Sequence, residues 1–254
     1  MADLAGEQIV LLHGFSGTRR AWDGVIAALH RGERYLPALA LDLPGHGDAT
    51  DAPRPITFAS CVEHVLAHSP ARFALCGYSL GGRVALHVAL AAPARVSRLV
   101  LVSCSPGIED AAERAARREA DARLADELEA RPFEEFIERW RAQPLFAGEP
   151  PQAGELARAD QRRNRPGALA AVLRGVGAGE MQPLWERLGE LQMPVTVVAG
   201  ERDTKYTTLA RRIVNSLANA ELVVLPGGHG LPLENPSGVA AVLATERPAA
   251  SECG

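Results

Sequence analysis

Gly77-Tyr78-Ser79-Leu80-Gly81-Gly82-Arg83 lies between an apolar run, Phe73-Ala74-Leu75-Cys76, and a helical one, Val84-Ala85-Leu86-His87-Val88-Ala89-Leu90. The first run suits a buried strand and the second a helix. A strand that turns into a helix so abruptly forces the corner residue into a tight, strained backbone. The positions two before and two after it must then be small. Gly77 and Gly81 meet that need, because any Cβ there would collide with the neighbouring strand and helix. The corner residue is Ser79. It stands at a helix N-terminus, where unpaired N–H groups and the positive dipole end favour developing negative charge.

A serine nucleophile needs an imidazole to take its proton and an acid to orient that imidazole. The run Val195-Thr196-Val197-Val198-Ala199 reads as a buried parallel strand and ends in Gly200-Glu201-Arg202-Asp203. A further run, Leu222-Val223-Val224-Leu225, ends in Pro226-Gly227-Gly228-His229-Gly230. Asp203 and His229 are therefore expected in loops at the carboxyl ends of strands, where ligand sites of open α/β sheets lie. Glu201 is a rival acid, one turn earlier. His30, His64, His68 and His87 are assigned to surface or helix packing. An oxyanion hole needs two further donors. One is expected from the backbone N–H of Leu80. The other is expected from Phe15, in the loop His13-Gly14-Phe15-Ser16-Gly17 that follows the strand Ile9-Val10-Leu11-Leu12. His13 is read as scaffold, and so is the loop Asp42-Leu43-Pro44-Gly45-His46-Gly47 after the short strand Leu39-Ala40-Leu41. Strand, elbow and serine–acid–histidine order together resemble the α/β-hydrolases.

The expected fold class is α/β: an α/β-hydrolase fold, a mostly parallel sheet flanked by helices, with a helical cap inserted after the sixth canonical strand. Strands alternate with helices from Ile9 to Ser103. From Gly107 to Glu190 the chain turns rich in Ala, Arg and Glu at helical spacing, broken by Pro132, Pro144, Pro150, Pro151 and Pro166. The core is thus assigned to residues 1–106 and 191–254, and the cap to 107–190. A final helix is expected over Pro236 to Ala244, with a loose tail from Glu246 to Gly254. The eight residues ahead of Ile9 are too few for the hairpin that commonly begins this fold, so the sheet is expected to be one or two strands short at that edge.

Composition narrows the function classes. The chain has 254 residues, 47% hydrophobic, with a formal net charge of −4. That is ample for one sizeable α/β domain. No stretch reaches the roughly 18 to 20 apolar residues of a membrane span. The N-terminus lacks the basic start and apolar core of a signal peptide. The four cysteines, Cys61, Cys76, Cys104 and Cys253, show neither C-x-x-C pairing nor metal-ligand spacing. A reduced, cytoplasmic setting is expected. No basic cluster interleaved with aromatics points to nucleic acid, and no Walker loop or G-x-G-x-x-G unit points to a nucleotide cofactor.

Some charges call for function and others do not. Arg83 falls on the first turns of the helix after Ser79, where a cation opposes the dipole at a cost of roughly 0.3 to 1 kcal/mol. Either an anionic substrate or a cap carboxylate should compensate. Lys205, the one lysine among 27 basic residues, lies two residues past Asp203. Arg114, Arg117 and Arg118 share helical spacing with Glu113 and Glu119 and read as a solvated, salt-bridged face. By composition Trp140 and Phe146 read as core.

Beyond the triad, several stretches recur together: His13 to Gly17, Asp42 to Gly47, Tyr78 with Arg83, Ser105-Pro106-Gly107 followed by Glu113-Arg114 and Arg117, Trp140-x-x-Gln-Pro-x-Phe146, Gly200 to Asp203, and Gly228-His229 with Glu234-Asn235-Pro236. In these the chain resembles the 2-succinyl-6-hydroxy-2,4-cyclohexadiene-1-carboxylate synthases of menaquinone biosynthesis over nearly its whole length. The resemblance implies a cofactor- and metal-independent lyase that expels pyruvate from a substrate carrying several carboxylates. It implies an anion-binding group of Arg83, Arg117, Arg162 and Lys205, with Tyr78 and Trp140 shaping the wall. Arg163 and Arg165 crowd Arg162, so its register is open. In the implied chemistry Asp203 orients His229, His229 activates Ser79, and Ser79 removes a ring proton. The small polyanionic substrate is the one partner expected, and the protein is expected to be a monomer. Two rivals use the same fold: a carboxylic-ester hydrolase with a covalent serine, and a receptor-like protein that binds without turnover.

Overall fold

The computed structural model describes residues 8–32 and 35–245. Six strands form one sheet: β1 (Ile9–Leu12), β2 (Ala38–Leu41), β3 (Phe73–Tyr78), β4 (Val96–Val102), β5 (Val195–Gly200) and β6 (Ala220–Leu225). Their order is β2-β1-β3-β4-β5-β6, and every neighbouring pair is parallel. A parallel sheet is covered on both faces, which is why β1 reads as an unbroken apolar run, β5 is broken only by Thr196, and both are buried at every position.

Period-two alternation divides the core. Val10, Leu12, Leu75, Leu99, Leu101 and Val197 point to one face. There they meet α2 (Phe58–His68), α3 (Leu80–Ala91) and α8 (Thr204–Asn215). Ile9, Leu11, Ala74, Cys76, Val100 and Val198 point to the other, against α1 (Asp23–Arg31) and α10 (Pro236–Ala244). Burying one such Leu, Ile or Val contributes about 1.5–3 kcal/mol.

The chain leaves β1 first toward β2 and then, through α2, toward β3 and the far edge. Loops after β1 and β3 therefore diverge and open a crevice at the carboxyl ends of the strands. The sheet has all its described strands parallel where a mostly parallel one was expected. The question of an N-terminal hairpin falls on residues 1–7, and the expected tail on 246–254; both lie outside the described residues. Cys61, Cys76 and Cys104 are buried free thiols.

No strand occurs between β4 and β5. Four helices fill the space: α4 (Ala111–Ala130), α5 (Phe133–Arg141), α6 (Pro151–Gln161) and α7 (Pro166–Val176), with the short α9 (Leu231–Glu234) later in the chain. Asp110 caps α4 through the Glu113 N–H at 2.8 Å. Ala125, Leu128, Phe136, Ile137, Leu169 and Leu173 make a separate small core that also packs on Phe15. Met181, Leu184 and Leu188, inside the stretch assigned to the cap, pack instead with the core beneath the sheet. Val172 and Val176 of α7 join that same cluster, so the stretch from α7 onward is stitched to the core.

Candidate active site

Ser79 turns the chain from β3 into α3 with φ +52° and ψ −109°, a conformation L-residues rarely hold. The turn is locked by its N–H donating to the Val102 carbonyl at 2.9 Å and by its own carbonyl accepting from Arg83 N–H at 3.1 Å. A Cβ on Gly77 would stand 2.3 Å from the Gly81 oxygen, and one on Gly81 would stand 2.2 Å from the Leu12 oxygen. Strand and helix pass so close that only glycine fits at both places.

His229, carried by the loop after β6, lies with Nε2 3.2 Å from Ser79 Oγ. Its Nδ1 donates to Asp203 Oδ2 at 2.7 Å, which leaves Nε2 as the acceptor facing the hydroxyl. Both His229 and Asp203 are buried. The other oxygen of Asp203 accepts from Tyr206 N–H at 3.2 Å and so caps α8. Glu201 is exposed. Glu234 takes the N–H groups of Gly228 at 2.8 Å and Gly230 at 3.0 Å, and pairs with Arg202. The Ser103 hydroxyl adds a bond to the His229 carbonyl at 3.1 Å.

Phe15 and Leu80 both border the cavity above Ser79, and neither backbone N–H has a hydrogen-bond partner among the described residues. His13 is fully buried and accepts Leu43 N–H on Nε2 at 3.0 Å. Burial lowers its pKa and lowers that of its neighbour His46 well below the usual value, with the ring of His13 adding to the effect on His46. Both imidazoles act as neutral struts. Asp42 accepts from Arg19 N–H at 2.6 Å and Asp48 N–H at 2.9 Å, tying down its own loop.

The cavity encloses about 520 Å³ and reaches from Ser79 to the far end of α8. Arg83, Arg117, Lys205 and Arg212 line it, as do Trp140 and Trp185. Arg83 is half-buried and donates to the Val176 carbonyl at 3.2 Å. It makes no ion pair with a carboxylate among the described residues, and burial lowers its pKa. Arg117 reaches the buried Asp121 at 2.8 Å. Arg212 stacks over Trp185 at 3.8 Å and pairs with Glu109 at 2.5 Å.

Two expected wall and anion residues fall elsewhere. Arg162 is turned away, its Nε 2.9 Å from Glu134 on an exposed face, and it borders neither the cavity above Ser79 nor the smaller one beside it. The cause is helical register: at the end of α6 it is Asp160 and Gln161 that face inward and are buried. Its neighbours do not replace it, since Arg163 faces Asp160 at 3.9 Å and Arg165 pairs with Asp51 at 3.1 Å. Tyr78 borders a second, smaller cavity of about 50 Å³ with Gly14, Arg141, Phe146 and Glu149, its ring 5.5 Å from that of His229. Burial pushes its phenol pKa up. Trp140 and Phe15 divide the two spaces. Arg212 and Glu234 were not singled out as site residues from the sequence. Lys205, Leu209 and Arg212 nevertheless fall at i, i+4 and i+7 of α8, a spacing that puts them on one face. Glu234 opens the Glu-Asn-Pro stretch after His229.

No group of three His, Cys, Asp or Glu among the described residues could hold a metal ion. None of the described helices is long and apolar enough to cross a membrane.

Comparison with known proteins adds to this geometry. Residues 9–242 match the model of the alpha/beta hydrolase family. The 2-succinyl-6-hydroxy-2,4-cyclohexadiene-1-carboxylate synthase of Salmonella agona (strain SL483) is 34% identical, the alignment covering 93% of this chain and 92% of that one. The enzyme of the same name from Enterobacter sp. (strain 638) is also 34% identical, over 93% and 90% of the two chains. Among solved structures, MenH from S. aureus superposes with a TM-score of 0.86 at 29% identity, covering 93% of this chain and 91% of its own.

Proposed function

We propose, for a chain that belongs to the alpha/beta hydrolase family and, within it, to the 2-succinyl-6-hydroxy-2,4-cyclohexadiene-1-carboxylate synthases, that it eliminates pyruvate from 2-succinyl-5-enolpyruvyl-6-hydroxy-3-cyclohexene-1-carboxylate, as a carbon–oxygen lyase of menaquinone biosynthesis. Substrate and product differ in their double bonds. The 3-ene becomes a 2,4-diene, so a proton leaves ring carbon 2, beside the succinyl ketone, and the enolpyruvyl oxygen leaves carbon 5.

Each step has a group in reach. His229 Nε2 takes the Ser79 proton across the 3.2 Å contact, and Asp203 stabilises the imidazolium through the 2.7 Å bond to Nδ1. The Ser79 oxygen then removes the carbon-2 proton. Negative charge moves onto the ketone oxygen, toward the free N–H groups of Phe15 and Leu80. As that charge returns through the ring, the carbon 5–oxygen bond breaks. His229 gives its proton to the departing enolate, which becomes pyruvate, and both side chains end as they began. Proton transfer of this kind contributes typically ~10²–10⁴-fold, and an oxyanion donor about 3 kcal/mol. No acyl-enzyme forms, and the steps draw on no metal or cofactor.

One observation carries the reading of the substrate as an anion. Arg83, on the helix that begins at the nucleophile, faces the cavity with a single carbonyl as its partner and no carboxylate. A carboxylate held in a bidentate pair with that guanidinium would be oriented toward Ser79 more strictly than by a lysine. Lys205 and Arg117 border the same space. We assign the reaction to the cytoplasm, a reading that free buried thiols support, and to a monomer whose partner is the small polycarboxylate itself. The test is pyruvate formation by the purified protein with no metal or cofactor added. Wild type should release pyruvate, and absence of release overturns the reading.

The Ser79–His229 contact alone would equally serve a covalent ester hydrolase. That alternative predicts a stoichiometric burst of p-nitrophenol from p-nitrophenyl acetate and an acylated Ser79.

A further inference from the structure

One segment of the cap is bonded to one loop of the core, and that loop carries Phe15. Asp160 Oδ2 accepts from Thr18 N–H at 2.7 Å, and its Oδ1 accepts from the Thr18 hydroxyl. Gln161 Nε2 donates to Ser16 Oγ at 2.8 Å, and Asn164 Nδ2 donates to the Ser16 carbonyl at 2.8 Å. Asn164 Oδ1 in turn accepts from Gly47 N–H at 3.0 Å, in the second scaffold loop. Asp160, Gln161, Asn164, Ser16 and Thr18 are all buried. Deep burial of so many polar groups costs stability unless they are paired, and here they bond to one another across the cap boundary, with Gln161 Oε1 the one oxygen of the group left without a partner among the described residues.

The loop needs holding. Ser16 adopts φ +62°, a left-handed conformation that favours glycine, and it directly follows Phe15. The Phe15 ring lies edge-on to Trp140 at 5.0 Å and to Phe136 at 6.5 Å, so the cap grips its side chain as well.

We infer that Gln161 and Asn164 are positioning residues for the Phe15 oxyanion donor: the cap sets where that N–H points, and the oxyanion hole is complete only with the cap seated. This rests on reading the Phe15 N–H as a donor to the developing enolate. The cap thereby does two things at once. It walls the cavity, and it sets the donor geometry on which transition-state stabilisation depends. A displacement of about 1 Å in such a group costs on the order of 10²-fold in rate.

The experiment compares Asn164→Asp, Gln161→Ala, Ser16→Ala and the double variant Ser16→Ala/Gln161→Ala, with Arg158→Ala as the control. Asn164→Asp keeps shape and the Gly47 bond but sets a carboxylate oxygen against the Ser16 carbonyl. Arg158 pairs with Glu138 on the exposed side of the cap. Two rates are read: pyruvate release, as kcat and KM, and phosphonylation of Ser79 by a fluorophosphonate, whose phosphoryl oxygen gains negative charge toward the same donors as the serine adds and fluoride leaves. Melting temperatures are recorded alongside.

Expected are a fall in kcat of about 10- to 100-fold for Asn164→Asp with KM changed less than about 3-fold, and a matching fall in phosphonylation rate. Gln161→Ala and Ser16→Ala should show smaller and equal losses, with the double variant no worse than either. Variants that melt earlier yet keep wild-type kcat and phosphonylation rate would overturn the inference. If Asn164→Asp does not fold, the Ser16/Gln161 cycle decides alone. If wild type releases no pyruvate, the lyase reading fails while the phosphonylation rates still decide this one.

Discussion

Arg202 and Glu234 join the loop that carries Asp203 to the loop that carries His229. Glu234 is almost wholly buried, and its two oxygens also hold the N–H groups of Gly228 and Gly230 on either side of the imidazole. Replacing it with glutamine keeps the size but leaves one of those groups facing an amide donor. Glu234→Gln should lower unfolding free energy by about 1–3 kcal/mol, the cost of an unsatisfied buried group. It should also lower kcat about tenfold by loosening His229. Urea unfolding and initial rates of pyruvate release check both parts.

Arg83 and Arg162 should separate cleanly. Arg83→Ala removes a cavity guanidinium without a carboxylate partner and should reduce kcat/KM about 10²-fold, with Arg83→Lys recovering only part. Arg162→Ala breaks an exposed pair with Glu134 and should leave kcat/KM within about twofold, as exposed pairs contribute about 0–1 kcal/mol. Equal losses in both would mean the cap turns Arg162 inward when substrate binds.

Stability should fall on mild acidification. The folded pKa of His46 is held well below the ordinary 6.5, first by burial and then by His13. The unfolded chain therefore binds the proton first. The contribution of a neutral His46 is fully present above pH 6.5 and is lost progressively as pH drops below it. One such group gives a slope of up to about 1.4 kcal/mol per pH unit. His13, also lowered, adds to it, while Asp160, raised by burial, acts with opposite sign. The measure is accordingly a difference: between pH 7 and pH 5, His46→Gln should show a shallower fall in unfolding free energy than wild type. Parallel curves would refute it.

Two glycines mark opposite extremes. Gly81→Ala would set a Cβ 2.2 Å from a backbone oxygen of β1 and should destabilise by about 3 kcal/mol or prevent folding. Gly167→Ala, near the start of α7, meets nothing within 4 Å and should stabilise by about 0.5–1 kcal/mol. Chemical denaturation of the two variants tests the contrast.

The triad and the sheet were legible because each depends on local rules. Buried parallel strands leave apolar, β-branched runs, and the loops after them carry the polar residues that converge. The cap was not legible in the same way. Helix α4 buries little besides Asp121, Ala125 and Leu128, so its periodicity does not show which arginines turn inward. Arg117 borders the cavity while staying largely exposed, held there by its pair with the buried Asp121 one turn on. Arg162 does not, because the bonds from Asp160, Gln161 and Asn164 to the core fix the roll of that helix end and leave Arg162 outside. Tyr78, adjacent to the nucleophile in sequence, borders a different space because successive residues at the end of a strand point to opposite sides.

Asp203 divides its carboxylate between two tasks, one oxygen serving the imidazole and the other the first turn of α8. That helix also carries Lys205 and Arg212. The carboxylate that holds the imidazole is thus the origin from which two cations bordering the cavity are measured out, turn by turn, along a rigid rod. The imidazole's orientation and the position of those cations cannot drift independently in such a frame. A lineage that retuned one would be obliged to retune the other, and the carboxylate at 203 would be the last side chain free to vary.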